Sequence, residues 1–145
     1  MVNGVVLTLL AVECVSDIKS KSISLLRQLV FFVIAIALNI LFSYQSIGSV
    51  MGGMAIGGAL FLFSYVTKEG VGYGDCLIFL VIGTYVGFIK NMELLFVSLV
   101  LSAIVGIAIS LWKKKSLKIQ IPFVPFILAG YLILTIFEIK AGGGI

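Results

Sequence analysis

Residues 25–44 read LLRQLVFFVIAIALNILFSY, with Arg27 the one charged side chain in the run. A helix of that length covers about 30 Å, the hydrocarbon thickness of a bilayer. A strand with one wet face would alternate polar and apolar residues, and this run does not. It predicts a helix that crosses a membrane.

The rest of the chain has the same character. Of its 145 residues, 61% are hydrophobic and 11% charged, whereas a soluble domain carries about 25% charged residues. A mean hydropathy of +1.28 leaves too little polar surface to face water on all sides. Apolar runs near spanning length are expected at 2–17, 25–44, 47–66, 75–90, 93–112 and 121–138. The expected architecture is all-α, a single membrane-embedded domain over 1–145 built as a six-transmembrane-helix bundle. Residues 1–12 carry no Lys or Arg, and no small-x-small cleavage site follows, so the first run is expected to remain rather than to act as a secretory signal.

Orientation follows from the basic residues. Eight of the ten, Lys19, Lys21, Arg27, Lys68, Lys113, Lys114, Lys115 and Lys118, fall at the first, third and fifth connections, against Lys90 and Lys140 on the other side. The positive-inside rule places those three connections in the cytoplasm and both termini outside the cytoplasmic (inner) membrane. Charges clustered in this way suit lipid headgroups and give no nucleic-acid surface. Tyr44 and Trp112 suit the interfacial aromatic belt. Gly52, Gly53, Gly57 and Gly58 suit close helix packing, Gly53 and Gly57 at GxxxG spacing. Cys14 and Cys76 form no CxxC pair and there is no histidine, so neither a metal nor another cofactor is expected.

Carboxylates at membrane depth cost at least about 2.5–3.5 kcal/mol at a helix centre and so point to function. Glu69, Glu93 and Glu138 fall in or beside connections, with Lys90 as the expected partner of Glu93. Asp17 and Asp75 both fall at the cytoplasmic ends of spans, on one side and at similar depth. Two carboxylates that meet cannot both be ionised; they share a proton, one acting as base on a water while the other polarises a carbonyl. The plainer alternatives are an ion pair of Asp17 with Lys21 and a helix-end hydrogen bond at Asp75. Asp75 closes Gly72-Tyr73-Gly74-Asp75, a GxGD turn running into an apolar helix. Glycines there permit tight turns and close backbone approach, and the helix dipole favours a negative charge at that start. Glu13, one turn before Asp17, either tunes it by like-charge repulsion or is a structural acid. Lys19 serves headgroups or a substrate terminus.

Three blocks together resemble the type IV prepilin peptidases, the GxGD aspartic peptidases that trim leaders from pilin-like precursors. They are Asp17-Ile18-Lys19-Ser20-Lys21-Ser22-Ile23-Ser24, then Gly72-Tyr73-Gly74-Asp75, then Ile121-Pro122-Phe123-Val124-Pro125-Phe126. The resemblance implies a membrane aspartic endopeptidase with Asp17 and Asp75 catalytic and Gly72 and Gly74 supporting them. Pro122, Phe123, Pro125 and Phe126 would then begin the last span and wall a substrate groove, or anchor it at the interface. The implied partners are the lipid bilayer and a prepilin-like substrate with a basic leader and an apolar helix. Leu77 stands where the family commonly has Lys, Ser24-Leu25 where Pro-Asn often follows the Ile, and the cysteine-bearing loop of the bifunctional enzymes has no counterpart. These departures imply a short form that cleaves without methylating. Two rival readings differ in class. A proton-coupled carrier would use the same acids as relays, and inverted repeats would favour it. A presenilin-like protease would pair GxGD with Tyr-Asp, where Ser16-Asp17 stands here.

Overall fold

The computed structural model describes residues 1–20, 22–43, 45–68, 70–113 and 121–142. Lys21, Tyr44, Glu69, Lys114, Lys115 and Lys118, singled out in the sequence, lie outside the described residues. The described residues form five helices, α1 Val2–Ser20, α2 Leu25–Phe42, α3 Ile47–Val66, α4 Tyr73–Lys113 and α5 Val124–Lys140. Three of them, α2, α3 and α4, are long and apolar enough to cross a membrane. The other two fall short of that composition or length. α1 carries Glu13, Asp17 and Lys19, and α5 has 17 residues, about 26 Å of helix.

The runs expected at 75–90 and 93–112 are two helical limbs that follow one another without a gap in α4, and the break between them is at Gly87 rather than at 91–92. Gly87 has φ 81 and ψ −174 inside α4, a conformation essentially reserved for glycine. There the chain turns back on itself. Asn91 Nδ2 donates to the Phe79 carbonyl at 2.9 Å, although residues twelve apart on a straight helix would be about 18 Å apart. The expected runs leave the connection at residues 91–92. Asn91 is instead wholly buried, its amide also donating to the Gly53 carbonyl at 3.0 Å.

The first limb of α4 is the centre of the molecule. Ile78, Phe79, Ile82 and Tyr85 are buried and cluster with Leu9 and Leu10 of α1, Ala35 of α2, Leu94 of the second limb and Ile127 of α5. Its most extensive partner is α3. A Cβ on Gly53 would fall onto the Gly83 carbonyl, and one on Gly57 onto the backbone of Leu80, so the GxxxG pair of α3 brings backbone against backbone. On the far side, Asn39 Nδ2 of α2 donates to the Thr84 carbonyl at 2.8 Å. The outward faces remain apolar: Leu26, Leu29, Val33, Ile40, Leu62 and Phe96 are exposed. Such a surface is suited to lipid.

Lys90 pairs with Glu138 of α5 at 3.0 Å, not with Glu93 as expected. The helix rotation carries the Lys90 ammonium across to α5, so a neighbour three residues along its own helix loses to one forty-eight residues away.

Candidate active site

Asp17 stands in the last turn of α1 and is 9% exposed. Carbonyls at a helix C-terminus disfavour a carboxylate, so the opposing groups matter. The start of α5 supplies one: the Val124 N–H donates to Asp17 Oδ2 at 3.3 Å. Amides of a helix's first turn lack intrahelical partners. The flanking Pro122 and Pro125 have no N–H to offer; of the two amides between them, that of Val124 is the one that reaches Asp17. The Pro122–Phe126 block is thereby joined to the Asp17 block.

Asp75 stands in the first turn of α4, half-buried. Among the described residues its carboxylate has no hydrogen-bond or ion-pair partner. The turn before it is held from α3: Ser64 Oγ donates to the Val71 carbonyl, the Gly70 N–H to Thr67 Oγ1 at 3.2 Å, and Tyr73 stacks on Phe61 with ring centroids 6.0 Å apart. The two motif glycines do separate work. A Cβ on Gly72 would lie 3.1 Å from Asp75 Oδ2, and one on Gly74 would meet Ile23 at 2.5 Å. Gly72 leaves room for the carboxylate. Gly74 lets the connection between α1 and α2 lie against the start of α4.

Asp17 and Asp75 line one cleft of about 600 Å³. Gly72, Pro122 and Phe123 line it with them, and Leu95, Leu99 and Ser102 of the second α4 limb extend it as a mostly apolar trough. Phe123 also packs on Phe79, centroids 6.4 Å apart. Other expected site residues stand elsewhere. Lys19 is exposed, and Pro125 and Phe126 are half-buried on α5 without lining the cleft. Glu13 has no exposure and is held by Arg27, Nε to Oε1 at 2.9 Å and Nη2 to Oε2 at 3.2 Å. Its carboxylate is compensated rather than left to repel Asp17. Arg27, expected among the cations of the first connection, is the partner of a buried acid, and Ser64 holds the GxGD turn without having been expected to. An arginine inside an otherwise apolar run was the one available signal for the former.

Comparisons with known proteins place the chain in a family. The type IV leader peptidase family matches residues 4–111. A prepilin leader peptidase/N-methyltransferase of Pseudomonas putida is 33% identical over 87 residues, which cover 59% of this chain and 30% of that protein. The chain thus spans under a third of that relative's length. No solved structure matches significantly. The match runs through Asp17, the GxGD turn and the cleft-lining part of α4, and on it the chain belongs to the type IV leader peptidase family.

Proposed function

We propose that this protein is an aspartic endopeptidase that removes the leader from type IV pilin-like precursors, with Asp17 and Asp75 as its catalytic pair. The observation that carries the reading is that both carboxylates line one cleft, each beside the N-terminal turn of a helix. Helix N-termini favour negative charge, while two carboxylates in one site favour a single shared proton. The ionised member takes a proton from a water, and that water attacks the scissile carbonyl. The protonated member donates a hydrogen bond to the carbonyl oxygen as the tetrahedral adduct forms, then the amine leaves with a proton returned by the pair. The apolar trough beyond the carboxylates suits an extended segment next to a membrane helix.

In the bilayer the molecule is read as six crossings, with the two limbs of α4 counted separately and α1 and α5 carried by their neighbours. The cleft then opens at the cytoplasmic face, the side to which the positive-inside rule assigns the connections that hold eight of the ten basic residues. The substrate is a precursor with a short basic leader, whose apolar helix stays in the same membrane.

The test is incubation of purified protein with a pilin-like precursor and mass spectrometry of the products. Asp17→Asn and Asp75→Asn keep size and hydrogen bonding but cannot share the proton. Each is expected to abolish cleavage while the protein stays folded, and the double variant to be no worse, because residues acting as a unit are not additive. Substantial cleavage by either folded Asn variant would refute the pair and favour a carrier of protons.

A further inference from the structure

Glu13 is the most buried charge among the described residues, with no exposure, and stands one helical turn before Asp17 on the same face of α1. An uncompensated carboxylate at that place would act on Asp17 as a third acid of the site. Arg27 compensates it through the two hydrogen bonds given above. The same Nη2 donates to Ser16 Oγ at 2.8 Å, and Ser16 Oγ donates to the Ser22 carbonyl at 3.1 Å. Arg27 therefore ties α1 to the connection whose Ile23 lies on Gly74, next to Asp75.

We infer that Arg27, acting through Glu13, is a positioning and charge-compensating residue for the Asp17–Asp75 pair, so that one proton is shared between two carboxylates and not among three. The inference rests on the catalytic reading of those aspartates. Among the described residues, the charged and titratable groups around Asp17 are Glu13, Cys14 and Lys19 on α1, Arg27 at the start of α2, and Asp75 and Cys76 of α4. Lys68 precedes the turn into α4, and the charges of α5, Glu138 and Lys140, stand at its opposite end. Within this set, Glu13 and Arg27 cancel each other.

The sign follows. Removing the arginine charge leaves an extra negative charge beside the pair, which makes every proton on it harder to lose and moves both limbs of the pH–rate profile to higher pH. Removing the glutamate charge leaves an extra positive one and moves both limbs down. The experiment measures pH–rate profiles for leader cleavage by full-length R27Q, E13Q, R27K and E13Q/R27Q. We expect R27Q to move up and E13Q to move down by about half a pH unit or more. R27K, which keeps the charge, and E13Q/R27Q, which removes both, should return to the wild-type profile. An unmoved profile in E13Q overturns the inference even if R27Q does not fold, as does a shift in E13Q/R27Q as large as in a single variant. With Asp17→Asn and Asp75→Asn inactive, such a result removes the role of Arg27 alone; cleavage by either Asn variant removes the pair itself.

Discussion

Gly72 and Gly74 stand two residues apart in one motif, yet an added methyl group would meet different obstacles at each. At Gly72 it would crowd the Asp75 carboxylate, and at Gly74 the side chain of Ile23. The two substitutions should therefore fail differently. Gly72→Ala is expected to fold normally and lose about tenfold or more in kcat, since small displacements of a reacting group are costly. Gly74→Ala is expected to lose stability by about 1–3 kcal/mol through overpacking. Trimming Ile23 to Ala should restore most of that loss, because it removes the methyl groups in the way. Cleavage rates and thermal unfolding in detergent, measured together, distinguish the two. Equal behaviour of Gly72→Ala and Gly74→Ala would mean that the motif acts only as a flexible turn.

At the level of elements, the seam between α3 and the first limb of α4 organises the bundle. It joins Gly53 to Gly83 and Gly57 to Leu80 with no side chain between the backbones. Backbone cannot move aside as a side-chain tip can. Gly53→Ala should accordingly destabilise by about 1–3 kcal/mol. Gly58→Ala, on the same helix with open space around its Cβ, should be neutral or more stable by up to about 1 kcal/mol from helix propensity. Reversible unfolding in mixed micelles checks the pair, and equal effects would contradict the seam. The same seam explains why a short limb of α4 suffices. Its turn at Gly87 is roofed by Gln45, whose amide donates to the Val86 carbonyl at 3.4 Å, and Asn91 then ties the second limb to the first and to α3.

For the molecule as a whole, the two ends of the bundle differ in what they carry. The ends of α1 and α3 and the starts of α4 and α5 meet at the cleft, while Lys90 and Glu138 pair at the other end. Single cysteines in place of Ser20, Lys68 and Lys90, in a background lacking Cys14 and Cys76, report this directly. A membrane-impermeant thiol reagent is expected to reach positions 20 and 68 only from the cytoplasmic side, and position 90 only from outside. Labelling of 20 and 68 from opposite sides would be incompatible with a cleft shared by Asp17 and Asp75.

Much of this was legible in one dimension, because solvent acts on each segment separately. Apolar length and scarcity of charge determined that the chain is helical and belongs in a membrane, and Asp17 and the GxGD turn lie within the stretch that matches the family. What only the tertiary structure decided is which side chains meet. Glu13 faces Arg27, Lys90 reaches Glu138 in preference to Glu93, and the chain reverses at Gly87 while Asn91 after it is buried. Each outcome depends on how a helix is rotated about its axis and which neighbour it packs against. Hydropathy averages over that rotation, whereas an ion pair or a buried amide depends on it to within an ångström.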